Sequence, residues 1–323
     1  MGTSNPSEMF DFSSECVLVT GGGGVIGSVL VSSLLQKNAH VKVLDDWSLG
    51  VRDRLGSHAR LKVFTGSVCD PNAVEEAIEG ATIVIHLAST HIHQSLRDPG
   101  YDCDVNVRGT VNVLLSAKKS GTVRRVVYGS SDAVYGNPRY LPINEDDTVN
   151  PLSPFAVSKL AGEYYCRAFY EAYGLSTTVL RFGNVFGGPK PASFEHSGVV
   201  VRFITEALDQ KPLVIHGDGE QTRDFIFIED AVDAILRASI SSKAEGQTYN
   251  VGSGIEVTIN HLAELILKLT GSSKGIEYID RMDIDNIRRR VLNIEKIRRD
   301  LRWIPQYTLE QGLRKCLGLE ANE

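Results

Sequence analysis

Thr20-Gly21-Gly22-Gly23-Gly24-Val25-Ile26-Gly27 is the stretch whose reading decides the fold. It follows an apolar, β-branched run at 16–20 and opens onto 26–37, whose apolar residues recur at helical spacing. Strand, glycine turn and helix in that order make the first unit of a doubly wound α/β sheet. Glycines let the chain turn sharply and let a pyrophosphate approach, while the helix amino end offers N–H groups and a positive dipole. Gly21, Gly24 and Gly27, with Val25 and Ile26, are the expected phosphate cradle. A bare glycine-rich turn with no ligand is the competing reading.

The unit repeats outward from there. Strands are expected at 16–20, 41–44, 61–64, 82–87, 125–128 and 177–180, and helices at 26–37, 73–78, 105–119 and 156–173. Near-continuous apolar strands suit a parallel sheet covered on both faces, and the alternation implies right-handed crossovers. The second strand ends in Asp45, placed to accept from adenosine ribose hydroxyls. Its charge, with that of Asp46, opposes a 2′-phosphate, so NAD is favoured over NADP. A plain turn cap is the alternative for Asp45.

Beyond Arg181 the pattern loosens. Residues 183–224 are rich in Gly and Pro around one helix near 199–208. Further helices are expected at 229–239, a strand at 248–251, and amphipathic stretches at 262–269 and 294–301. The expected layout is a Rossmann domain over 14–182, to which 225–252 returns. A smaller, partly interleaved C-terminal lobe is built from 183–224 and 253–323.

Composition narrows the function. The chain has 323 residues and a formal net charge of −6, which argues against nucleic-acid partners held by bulk electrostatics. Its 5 cysteines are widely spaced, with no CxxC pair, so neither a disulfide framework nor a zinc site is expected. The polar, acidic amino terminus lacks a signal-peptide pattern, and no apolar run reaches membrane-spanning length. A soluble cytoplasmic protein is the expectation.

Further motifs run in order through the chain: VLDDWSLG at 43–50, HLAS at 86–89, NVRGT at 106–110, GSSDAVYG at 129–136, SPFAVSKLAGE at 153–163, LRFGNVFG at 180–187, GDGEQTRDFIFIEDAVDAI at 217–235 and YNVGSG at 249–254. With TGGGGVIG they resemble the extended short-chain dehydrogenase/reductase superfamily, in its NAD-dependent epimerase/dehydratase branch, and UDP-glucose 4-epimerases in particular. The resemblance implies NAD as cofactor and a nucleotide sugar as substrate. It implies that Val68 lies beside the adenine, although Ser67 stands where an Asp is usual. Leu87, Ala88 and Ser89 pass the cofactor, with Asn106 behind them. Lys159 binds the nicotinamide ribose, and Ser131 bonds the sugar hydroxyl that is oxidised. Asn184, Val199 and Arg223 fall on the substrate side, and Arg288 or Arg289 is a second phosphate ligand. The resemblance also implies a homodimer through helices 101–120 and 155–173.

One residue departs from that pattern. The branch begins its reaction with a Tyr base in a YxxxK helix, and here the motif reads Phe155-Ala156-Val157-Ser158-Lys159. Phe keeps the ring but has no ionisable oxygen. Either a Tyr was replaced to trap a complex, or Phe is natural. In the second case the protein is a binding or regulatory relative, or another group supplies the base: Tyr128, Tyr135, His91, His93 or Asp132. The dehydratases and decarboxylases of the branch carry a Glu two residues after the catalytic Ser/Thr. Here Ser131 is followed by Asp132 and Ala133, which favours 4-epimerisation, with Asp132 keeping a dehydratase reading open. The His91-Ile92-His93 loop lacks a third metal ligand by spacing. His91 is expected to touch sugar or cofactor, or to lie in a plain surface loop.

Overall fold

The computed structural model describes residues 10–189, 198–280 and 287–319. Its centre is a seven-stranded sheet in the order β3-β2-β1-β4-β5-β6-β10, every neighbouring pair parallel. Six of these strands come from the first half: β1 (Cys16–Thr20), β2 (His40–Asp45), β3 (Leu61–Thr65), β4 (Ile83–His86), β5 (Arg125–Ser131) and β6 (Thr177–Phe182). The helices between them are α1 (Val25–Gln36), α2 (Pro71–Ile78), α3 (Ile92–Arg97), α4 (Pro99–Cys103), α5 (Gly109–Ser120) and α6 (Pro154–Tyr173).

Alternation along each strand divides the apolar residues between two cores. Val17, Val19, Ile83 and Ile85 join Leu30 and Leu34 of α1 on one face. Leu18 and Val84 join Val74 of α2, Val113 of α5 and Cys166 of α6 on the other. A strand covered on both faces needs apolar residues at successive positions, which is why these segments lack the half-polar pattern of a surface sheet. Local chemistry sets the helix ends. Asp70 caps α2 ahead of Pro71, and Ser153 caps α6 ahead of Pro154, each accepting from a backbone N–H of the first turn.

The second half adds β7 (Asn184–Phe186), α7 (Val199–Leu208), β8 (Leu213–His216), β9 (Thr222–Phe227), α8 (Ile228–Ile240), β10 (Gln247–Val251), β11 (Glu256–Thr258), α9 (Ile259–Thr270), β12 (Ile276–Ile279), α10 (Glu295–Leu301) and α11 (Leu309–Leu317). β11, β9 and β7 make a three-stranded sheet, and β12 pairs with β8. Within 225–252, then, α8 packs against the main sheet and β10 joins it, whereas β9 belongs to the smaller sheet. The helix expected at 105–119 starts earlier: α4 runs through one π-helical turn, Asp104–Arg108, into α5.

Two buried carboxylates tie these parts together. Glu163 of α6 takes a bidentate grip from Arg181 of β6, with Nη2–Oε2 at 2.6 Å, and also accepts from Ser130 of β5 at 2.5 Å. Arg181 further donates to the Tyr135 hydroxyl and the Glu145 carbonyl. Asp224 of β9 accepts from the backbone N–H groups of Ser253, Gly254 and Leu292 and from the Ser253 hydroxyl. Removing one partner of a buried pair leaves an uncompensated charge. Glu163→Gln is expected to lower the unfolding free energy by about 3–5 kcal/mol, read as a fall in the urea midpoint at unchanged slope.

Candidate functional site

Parallel strands of a doubly wound sheet open a crevice beyond their carboxyl ends, where the strand order reverses. Here the strand order reverses between β1 and β4, and a cleft of about 860 Å³ lies at that edge. Gly21, Gly24, Val25, Ile26 and Gly27 line one end. Gly21 has φ +70°, and a Cβ there would stand 2.7 Å from the Ala88 nitrogen. A Cβ on Gly27 would stand 2.3 Å from the Gly21 carbonyl oxygen. Only glycine permits a turn this tight at the amino end of α1, and the turn leaves the helix N–H groups facing the cleft.

Asp45, Asp46 and Val68 line the next part of the wall. The Asp45 carboxylate accepts from Gly23 N at 2.8 Å and Trp47 N at 2.9 Å. Burial pushes its carboxyl above the ordinary value, against the pull of those two donors. Asp46 accepts from the Ser48 N–H and hydroxyl. The residues fit a dinucleotide: a phosphate cradle, then a carboxylate one strand away.

The middle of the cleft is the loop after β4. Leu87, Ala88, Ser89 and His91 all line it. Asn106 does not line it. It sits behind, on the π-helical turn, where its carbonyl oxygen accepts from Thr90 N and its amide donates to Thr90, Asp102 and Ser158. The extra residue of the π turn aims Asn106 at both the loop and α6, bracing one against the other. Beneath the loop, His86 lies between the Thr20 and Thr110 hydroxyls at 2.7 and 3.0 Å, and burial pushes its pKa down to about 3.

At the far end the cleft gathers Ser131, Asp132, Phe155, Lys159 and Asn184. Phe155 and Lys159 are one helical turn apart on α6, so both face the cleft. Lys159 is 4% exposed, its ammonium 3.5 Å from the Ser89 hydroxyl and 4.8 Å from the Tyr128 ring centroid. Burial pushes its pKa down to about 8, partly offset by the charges of Glu163 and Asp102. Ser131 caps the turn after β5, accepting from Ala133 N. Asp132 pairs with Arg290 at 3.1 Å, both side chains 4% exposed.

The substitutes for a phenolate base fare unevenly. Tyr135 lies outside the cleft lining and donates to Asn250, and Tyr128 is buried beneath α6 with its hydroxyl toward the Lys159 carbonyl. Burial raises both phenols well above the ordinary tyrosine value. His91 caps α3, its Nδ1 accepting from Gln94 N, with the His93 ring 5.9 Å away. Among the described residues no group of three His, Cys, Asp or Glu could hold a metal ion.

Three expected substrate residues lie outside this cleft. Val199 opens α7. Arg223 is buried and donates to the Thr222 and Ile287 carbonyls. Arg288 is exposed and forms a bidentate pair with Asp218, and Arg289 does the same with Glu256. The guanidinium that reaches the cleft is Arg290, where the sequence reading named Arg288 or Arg289. Three consecutive arginines carry no signal that separates them. The neighbouring strand does, since Thr222 N donates to the Arg288 carbonyl and Arg290 N donates to Thr222 Oγ1.

A parallel sheet with a glycine cradle at its switch point, and a Ser and a Lys lining the same cleft, defines a Rossmann-type scaffold for a nicotinamide dinucleotide. Comparison with known proteins narrows this: residues 17–252 match the NAD dependent epimerase/dehydratase family, and the chain belongs to that family. It is 35% identical over 314 residues to a UDP-glucose 4-epimerase from Mycolicibacterium smegmatis, covering 95% of this chain and 98% of the relative. The solved UDP-glucose 4-epimerase of Thermotoga maritima, with UDP-glucose, superposes with a TM-score of 0.89 at 31% identity, covering 94% and 98% of the two chains. A dTDP-glucose 4,6-dehydratase from Streptomyces venezuelae, with NAD bound, superposes with a TM-score of 0.87 at 28% identity, covering 94% and 96%.

The depressed pKa of Lys159 makes a stability prediction for the protein without cofactor. Between pH 8 and the ordinary lysine value of 10.5 the unfolded chain binds a proton that the folded one has released, so stability rises with pH across that window. Lys159→Met should therefore stabilise the cofactor-free protein at pH 7 by up to about 3 kcal/mol. Urea melts of both proteins should show the difference shrinking above pH 8 and gone near pH 10.5.

Proposed function

We propose that this protein is built as a nucleotide-sugar 4-epimerase acting on a UDP-linked sugar. The observation that carries the reading is that Ser131, Phe155 and Lys159 line the same cleft as the glycine turn, with Ala133 where C5 chemistry would call for a Glu. Gly21, Gly24 and Gly27 would hold the NAD pyrophosphate, Asp45 the adenosine ribose and Lys159 the nicotinamide ribose. NAD, when bound, accepts hydride from the sugar C4 and returns it. Ser131 orients the C4 hydroxyl by hydrogen bonding. Lys159, a buried cation beside the nicotinamide site, holds the ribose hydroxyls and raises the local positive potential. Asn184 is assigned to the nucleotide side of the cleft.

The base is the missing part. Phe155 packs as a Tyr would but can neither take nor return the hydroxyl proton, and loss of a general base costs about 10²–10⁴ in rate. The chain as it stands is thus a binder of NAD and a poor catalyst. A 4,6-dehydratase reading has Asp132 in its favour, and a regulatory reading has Phe155 itself. Val157 and Tyr164, two turns apart on α6, are 53% and 59% exposed, and Leu115 of α5 is 50% exposed. A second copy packed through these two helices would cover them, giving a homodimer. No helix among the described residues is long and apolar enough to cross a membrane; a cytoplasmic location is part of the proposal.

Phe155→Tyr is expected to raise 4-epimerisation of a UDP-hexose about 10²–10⁴-fold, with product mass equal to substrate mass. A product lighter by one water favours the dehydratase reading, and no gain with any UDP-sugar leaves the regulatory one. Val157→Glu with Tyr164→Glu is expected to halve the mass seen by sedimentation while NAD binding persists.

A further inference from the structure

Resting on the nucleotide-sugar reading, the buried Asp132–Arg290 pair addresses which sugar the cleft accepts. Asp132 follows Ser131 directly and lines the same end of the cleft, so whatever Ser131 bonds lies within reach of the pair. Arg290 comes from 158 residues further along the chain and meets Asp132 at 3.1 Å. Its backbone is held firmly: Arg290 N donates to Thr222 Oγ1, and Leu292 N, two residues on, donates to buried Asp224. The strand it crosses also donates a hydrogen bond, from Thr222 N to the Arg288 carbonyl. Neither group of the pair is a mobile surface charge, since both side chains are 4% exposed.

We propose that this pair sorts sugars by charge, admitting a neutral hexose or N-acetylhexosamine and rejecting a uronic acid. The two charges cancel locally, so a neutral ring meets a polar wall with donors on the guanidinium and acceptors on the carboxylate. A C6 carboxylate brought to the same wall meets the fixed negative charge of Asp132. The Arg290 guanidinium it would approach already faces Asp132 at 3.1 Å, and a carboxylate that displaced Asp132 would leave it buried and uncompensated. Like charges placed together in a water-poor site are a strong means of excluding the wrong ligand. Arg290 alone would have favoured the uronate; Asp132 reverses that preference.

The test uses the NAD-loaded protein, whose Phe155 keeps the sugar unchanged during a binding titration. Calorimetry with UDP-glucose, UDP-N-acetylglucosamine, UDP-glucuronate and UDP alone is expected to give at least about tenfold weaker binding for the uronate than for either neutral sugar. Asp132→Asn, which keeps the shape and removes the charge, should tighten UDP-glucuronate by about tenfold and leave UDP-glucose within about threefold. If Asp132→Asn fails to fold, the double variant Asp132→Asn with Arg290→Gln removes both charges and should abolish the discrimination. Equal binding of uronate and neutral sugar by the native chain overturns the proposal, as does an unchanged ratio in a folded variant. Binding of UDP with indifference to the sugar overturns charge sorting alone. Failure of every UDP compound, UDP included, overturns the nucleotide-sugar reading as well.

Discussion

Steric exclusion at Gly27 is the constraint on which the rest depends. With no Cβ, α1 can press its first turn against the Gly21 carbonyl, and the loop after β4 can pass against Gly21 in turn. Those two contacts set the distance between β1, α1 and the Leu87–Ser89 shelf. A single added methyl would push the helix start away from the sheet edge and close the gap an anionic group must enter. Everything downstream is arranged around that gap: the carboxylate on β2, the shelf braced by Asn106, and the α6 lysine reaching up from behind the shelf.

The site shows how a fold spends stability on chemistry. Lys159 is buried without a carboxylate at bonding distance, which costs free energy in the absence of ligand. One helical turn further along α6, Glu163 does the opposite and holds the sheet together through Arg181. The same helix thus carries a destabilising group facing the cleft and a stabilising one facing the core. Phe155, on the cleft side, contributes a ring that carries no ionisable oxygen.

Much of this was legible in the sequence, because the physics of the first half is local. A glycine turn between an apolar strand and an amphipathic helix, and an acid at the end of the next strand, each carry their own signal. Ser131, Phe155 and Lys159 were readable as a group because helical spacing puts two of them on one face. Arg290 was not readable, because its assignment depends on how residues 287–292 lie on β9, a pairing between distant segments. The short strands β7, β8, β11 and β12 escaped for a related reason: each has only three or four residues and takes its conformation from its partner. The π-helical turn had no sequence mark, yet it aims Asn106.

Asp224 gives the molecule a further property. One carboxylate gathers the ends of three stretches that lie far apart in the chain: β9, the turn after β10, and the segment leading into α10. The C-terminal tenth of the polypeptide is thereby stitched into the middle of the molecule rather than appended to it. A ribosome must finish nearly the whole chain before the wall that carries Arg290 can close, so the glycine end of the cleft would take shape during synthesis and the opposite wall only at its end.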